Sequence, residues 1–181
     1  MFSLLHEIVS LLQSDEYTPF NALIIGIDDS GKSNFIEYFA STIKNEMPNE
    51  VINMTTIGVN TRNIKYHSND ITLWDIGGTE SFRSVWNRYI TESNAIIYCI
   101  DSSNLSRLEE SLVSLEEVKK YDTKNQKVAF ILTKIDKKNN TVLDRIEQYS
   151  NSTSYLSKVF HFSINHIDHQ RIHDILDWIL H

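Results

Sequence analysis

Gly26-Ile27-Asp28-Asp29-Ser30-Gly31-Lys32-Ser33 decides the fold of this chain. It matches G-x-x-x-x-G-K-[ST], follows the apolar run Ala22-Leu23-Ile24-Ile25 and opens a helical pattern over Lys32 to Ile43. Strand, glycine loop and helix together make a phosphate cradle. Gly26 and Gly31 let the backbone wrap an anion, peptide N–H groups and the helix N-terminus face it, and Lys32 reaches the β and γ oxygens. The Ser33 hydroxyl is then placed to meet Mg²⁺. Asp28 and Asp29 are less comfortable beside a polyphosphate and are expected to turn outward.

The same alternation continues outward. Apolar runs at Ile71 to Trp74, Asn94 to Ile100, Val128 to Leu132 and Val159 to Phe162 read as further strands, and the clearest helices are Lys32 to Ile43, Leu105 to Lys120 and the C-terminal segment carrying Ile172, Ile175, Leu176 and Ile179. Strands alternating with helices imply a parallel sheet covered on both faces. Ile57 to Asp75 is the exception, because two extended stretches flank His67-Ser68-Asn69-Asp70 with no room for a crossover helix. That segment should be an antiparallel hairpin. Asn45 to Asn53 reads as a mobile loop. Met1 to Gln13 spaces Phe2, Leu5, Ile8, Val9 and Leu12 as one face of an amphipathic helix, so residues 1–17 are expected to form a helix and linker, with the domain over 18–181.

The 181 residues suit one domain, and 41% hydrophobic with 23% charged residues is too apolar for a disordered chain. A net charge of −7 argues against nucleic acid and against electrostatic attachment to anionic lipid. The single cysteine, Cys99, lies inside an apolar run and reads as a buried structural thiol. There is no stretch of about 20 apolar residues to span a bilayer and no signal-peptide pattern, so a cytoplasmic monomer is expected, with any peripheral membrane contact made through the N-terminal helix.

Thr133-Lys134-Ile135-Asp136 follows the Val128 to Leu132 strand, where an open α/β sheet places its ligand loops. A carboxylate at Asp136 can accept from guanine N1–H and the exocyclic amine, a pattern adenine does not offer. Phe162-Ser163-Ile164-Asn165 follows the last strand, with the Ile164 N–H in reach of guanine O6. The weaker signals read as structural: among the histidines His161, His166, His169 and His173, the pair His169 and His173 is spaced i, i+4 but no third zinc ligand is evident, Trp74, Trp86 and Trp178 are packing anchors, and the charges from Arg107 to Lys120 are a solvated helix face.

Trp74-Asp75-Ile76-Gly77-Gly78-Thr79-Glu80-Ser81-Phe82-Arg83 resembles the Arf and Arf-like branch of the Ras superfamily, whose W-D-x-G-G differs from the D-T-A-G of Ras and Rab relatives. Thr56-Ile57-Gly58, Asp101-Ser102-Ser103 and Trp86-Asn87-Arg88-Tyr89 extend the likeness over nearly the whole chain. The resemblance implies a Ras-like P-loop NTPase fold: a six-stranded, mostly parallel sheet with one antiparallel strand, helices on both faces and an N-terminal amphipathic helix. It implies that Thr56 is the switch I ligand to Mg²⁺, that Asp75 holds the ion through water, and that the Gly78 N–H senses the γ-phosphate. The nucleotide residues expected are then Gly26, Asp28, Asp29, Ser30, Gly31, Lys32, Ser33, Asn34, Thr56, Gly78, Thr133, Lys134, Asp136, Ser163 and Ile164, the metal ligands Ser33, Thr56 and Asp75, and the catalytic groups Lys32, Gly78 and Thr79.

On this likeness the chain is a GTP/GDP switch acting in vesicle or ciliary-type trafficking, served by an exchange factor, a GTPase-activating protein and effectors. The likeness also implies that the N-terminal helix is released when GTP moves the hairpin. Three departures matter. Phe2 stands where N-myristoylation needs glycine, Thr133 replaces the usual asparagine, and Thr79 replaces the glutamine that orients the attacking water. The last points to slow hydrolysis, or to a scaffold that holds GTP persistently. A P-loop kinase using ATP is the third alternative, disfavoured by Asp136.

Overall fold

Each apolar run becomes a strand of one sheet in the computed structural model, which describes residues 18–49, 56–165 and 168–181. The elements run β1 (Thr18–Ile25), α1 (Lys32–Lys44), β2 (Val59–Tyr66), β3 (Asn69–Ile76), α2 (Glu80–Glu92), β4 (Ala95–Asp101), α3 (Leu108–Tyr121), β5 (Lys127–Thr133), α4 (Asn140–Ser152), β6 (Ser157–His161) and α5 (His169–Leu180). Short 3₁₀ turns at Leu105–Arg107 and Ile135–Lys137 precede α3 and α4. The helix expected from Leu105 therefore starts as α only at Leu108. The N-terminal amphipathic helix expected over residues 1–17, with Phe2, falls outside the described residues.

The strand order is β2-β3-β1-β4-β5-β6, antiparallel between β2 and β3 and parallel elsewhere. Strands buried on both faces explain the unbroken apolar runs. In β1, Ala22 and Ile24 join the core under α1 and α5, with Phe35, Phe39, Ile172 and Leu176, while Leu23 and Ile25 join the opposite core under α2, α3 and α4, with Trp86, Leu115 and Ile146. Cys99 is fully buried in β4, which pushes its thiol pKa up to about 12 and leaves it inert. Phe130, at 0% exposure, packs its ring against Tyr149 with centroids 5.9 Å apart. Phe130→Ala should cost about 3–5 kcal/mol, read as a lower urea midpoint at unchanged slope.

The hairpin is as expected but tighter. Pairing continues through Lys65↔Asp70 and Tyr66↔Asn69, so the turn is only His67-Ser68, with His67 at φ 51°. At this tip the Tyr66 hydroxyl donates to Asp177 Oδ1 at 2.8 Å, tying the hairpin to α5. The loop after α1 is anchored over its described part: Glu37, buried on α1, accepts from Asn49 N and Nδ2, each at 2.8 Å, and pairs with Arg62 of β2 at 2.6 Å. Burial acts to raise the Glu37 pKa, but the Asn49 and Arg62 contacts outweigh it and hold the carboxyl below its ordinary range.

Candidate nucleotide site

β1 has β3 on one side and β4 on the other, so the direction of winding reverses there. Ligands of open α/β sheets bind outside the carboxyl ends of strands at such a switch point, and residues 26–31 occupy that place. Gly31 lies at φ 80°, and a Cβ there would meet the Thr133 side chain at 3.0 Å. The Lys32 ammonium donates to Gly26 O at 2.8 Å and Ile27 O at 2.7 Å, with Ser30 Oγ at 3.4 Å. It is thereby held inside the loop, and burial lowers its pKa even though Asp75 and Asp28 favour the charged form. Ser30 is buried, and Asn34 lines the pocket beyond the loop.

Of the three oxygen ligands expected for Mg²⁺, Ser33 follows this lysine in the chain and meets Thr56, and Asp75 interacts with the lysine electrostatically. Ser33 Oγ and Thr56 Oγ1 are 3.2 Å apart, although separated by 23 positions. Asp75 is buried at the end of β3, and its Oδ1 has no hydrogen-bond partner among the described residues. Burial raises the Asp75 pKa, an effect that Lys32 and Arg62 oppose. An unpartnered buried carboxylate oxygen and a pair of hydroxyls in contact are the donor types that a hard cation with oxygen ligands takes. Ser33, Thr56 and Asp75 thus fit Mg²⁺.

Gly78 approaches the phosphate loop closely. Its carbonyl accepts from Asp28 N at 3.1 Å, and a Cβ on it would come within 2.4 Å of Gly26 O, so only glycine fits. The Asp28 N–H, expected to face phosphate, is here directed to Gly78. The neighbouring Gly77 donates to Gly58 O at 3.1 Å and accepts from Trp86 Nε1 at 3.0 Å. Thr79 is the N-cap of α2, with its hydroxyl 3.3 Å from Ser81 Oγ and its carbonyl accepting from Phe82 N and Arg83 N. Among the described residues, no hydrogen bond holds its side chain toward the phosphate loop.

A pocket of about 390 Å³ joins the loop to the Thr133 to Asp136 segment, lined by Asp29, Gly31, Asn34, Thr133, Lys134, Asp136, Lys137, Phe162, Ile164 and Asn165. Asp136 accepts from Ser163 Oγ at 3.2 Å and from Asn165 Nδ2 at 3.0 Å. Its carboxylate is therefore oriented by the segment after β6, and Asn165 is an orienting partner the sequence does not single out. Ile164 is exposed at the rim, and Lys134 takes φ 53° to follow the turn. Thr133 is buried and donates to Ser30 O at 2.7 Å, with Ile100 O at 3.1 Å. Its hydroxyl ties the phosphate loop to β5, which gives the residue in the asparagine position a bracing contact of its own.

Asp28 does turn away from the loop interior, but onto a cation rather than to solvent. Arg107 grips its carboxylate through Nη1 at 3.2 Å and Nη2 at 2.9 Å, and also donates to Asp28 O at 2.9 Å. Glu110 accepts from Arg107 Nε at 2.9 Å and from Arg83 Nη2, while Arg83 Nε donates to Gly78 O at 3.0 Å. The hydrogen bond from Arg107 holds the Asp28 pKa below its ordinary value, and that from Arg83 does the same for Glu110. Arg107 and Glu110 thus form a bridge from the phosphate loop through α3 to the switch segment, correcting the reading of that charge run as only a solvated face. Farther along, Glu117 and Lys120 remain exposed.

The Arl6 (BBS3) small GTPase of Trypanosoma brucei, solved with the nucleotide analogue GppNp, has the same fold at a TM-score of 0.70 and 19% identity, over 90% of this chain and 96% of that one. ADP-ribosylation factor-related protein 1 of Homo sapiens is 33% identical over 110 residues, 60% of this chain and 53% of that protein. ADP-ribosylation factor K of Dictyostelium discoideum is 33% identical over 108 residues, with the same shares covered. The chain spans about half the length of these relatives in the matched region. The model of the ADP-ribosylation factor family matches residues 5–181, which takes in the phosphate loop, the W-D-x-G-G segment and the base loop alike, and the chain belongs to that family.

Proposed function

We propose that this protein is a guanine-nucleotide switch that binds GTP and GDP with Mg²⁺ and hydrolyses GTP slowly. The observation that carries this reading is the convergence of both ends of the β2–β3 hairpin on the phosphate loop: Thr56 meets Ser33 at 3.2 Å, and Gly78 O meets Asp28 N at 3.1 Å. A γ-phosphate placed between them contacts two segments joined by one rigid hairpin, so its presence or loss can shift the hairpin between discrete positions. Asp136, oriented by Ser163 and Asn165, selects guanine.

When bound, Mg²⁺ neutralises charge on the β and γ oxygens. Lys32 adds its ammonium to the same oxygens, and the Gly78 backbone stands where the γ-phosphate is sensed. Hydrolysis breaks the bond between the γ phosphorus and the bridging oxygen as water attacks from the opposite side. Threonine is too short to orient that water as glutamine does, and the Thr79 hydroxyl is paired with Ser81. Slow turnover also favours a second reading, a scaffold that holds GTP and depends on a partner to discharge it. Service in vesicle or ciliary-type trafficking, with an exchange factor, a GTPase-activating protein and effectors at the switch segments, is the process we assign to it.

Identification of the copurifying nucleotide and single-turnover hydrolysis test this reading together. Thr79→Gln should accelerate hydrolysis by about ten- to a thousandfold, the effect of restoring a water-orienting group worth about 1.4–4 kcal/mol. Equal rates in wild type and variant would sink the slow-switch reading, and copurification with adenine nucleotide would sink the guanine assignment.

A further inference from the structure

Asp29 stands at φ 58° in the phosphate loop, and its side chain is 79% exposed at the edge of the nucleotide pocket. Its neighbour Asp28 is matched by the bidentate Arg107. Asp29 has only a share of a cation. The Lys134 ammonium lies 3.2 Å from Asp29 Oδ1 but 2.8 Å from Asp101 Oδ2, and Asp101 is itself held by Ser103 N at 2.8 Å and Ser103 Oγ at 2.6 Å. One ammonium between two carboxylates leaves the group net negative, on a loop built to hold a polyanion.

We propose that Asp29 is a counter-charge that shortens the residence of the bound nucleotide, making this chain release GDP faster than the rest of its phosphate site would allow. The inference rests on the guanine-nucleotide reading above. Its sign follows from comparing two effects of the same side chain. As half of an exposed ion pair with Lys134 it could strap the phosphate loop to the base loop, but exposed pairs contribute little, since water screens them and two side chains must be held in one geometry. As a fixed negative charge beside a di- or triphosphate it opposes several charges that the loop holds in place. Lys134 also keeps Asp101 as partner when Asp29 is neutralised, so little bracing is lost. Repulsion outweighs the strap.

The full chain loaded with mant-GDP and Mg²⁺, then chased with excess unlabelled GDP, reads the release rate directly. Asp29→Asn should slow release by about three- to tenfold at low ionic strength, the order expected for one exposed charge several ångströms from a polyanion. The ratio of wild type to Asp29→Asn should shrink towards one as NaCl is raised past the point where the Debye length falls to about 8 Å. Faster release from Asp29→Asn would make the residue a strap, and an equal rate, or a ratio indifferent to salt, would equally overturn the inference. A wild-type chain that takes up no mant-GDP overturns the nucleotide reading and this inference with it.

Discussion

Lys32→Ala is expected to remove measurable binding of both GDP and GTP while leaving the sheet intact. Lys32 is 6% exposed, and its ammonium is directed to Gly26 O and Ile27 O inside the loop, so it is fixed at the point where phosphate oxygens would gather. A hydrogen bond to a charged group contributes about 1.5–3 kcal/mol, and the ammonium has three donors for the β oxygens of GDP or the β and γ oxygens of GTP, so losing two such bonds costs about 3–6 kcal/mol, on the order of a thousandfold in affinity. The protein without nucleotide should change little in stability, because two lost hydrogen bonds are offset by release of a charge whose burial is unfavourable. Equilibrium titration with mant-GDP, beside thermal unfolding of the nucleotide-free protein, separates binding from folding. Retained GDP affinity would remove the phosphate loop from the site.

Asp136 is exposed until a base covers it, and Asp136→Asn should weaken GDP and GTP binding by about 2–5 kcal/mol, the cost of truncating one partner of a charged contact that the bound base would bury. The surroundings add to it. Both carboxylate oxygens accept from donors, Ser163 Oγ and Asn165 Nδ2, and an amide at position 136 would turn its own NH₂ towards one of them. The same amide pairs well with xanthine, which carries a carbonyl where guanine carries its amine. Competition between GDP and XDP for the variant checks this: a protein that still prefers guanine does not read the base through this loop.

The elements differ in how clearly their residues announce them. The strands are legible because burial on both faces demands unbroken apolar runs such as Ala95 to Ile100, which is buried throughout. α2 and α4 are fainter, since each buries only two side chains, Trp86 and Ile90 in one and Val142 and Ile146 in the other. Their periodicity is diluted by polar residues on the wide outer face. The hairpin is legible from its spacing alone, because no crossover helix fits between its strands.

The phosphate loop with Ser33 and the Thr133 to Asp136 loop are legible in sequence because their chemistry needs particular residue types at fixed local offsets, and a loop of a few residues carries its own geometry, whereas Thr56 and Asp75 are implied only by the family resemblance. Contacts between distant segments leave no such record. Arg107 reaches Asp28 across 79 positions, Thr133 reaches Ser30 across 103, and Asn165 reaches Asp136 across 29. Which surface charge finds a partner depends on the parallel register that brings the ends of β1, β4, β5 and β6 together, a product of packing both sheet faces at once. The residue types in the site were therefore set by local chemistry, while the tertiary structure alone decided that Asp28 is neutralised, that Thr133 braces the phosphate loop, and that Asp29 shares its cation with Asp101.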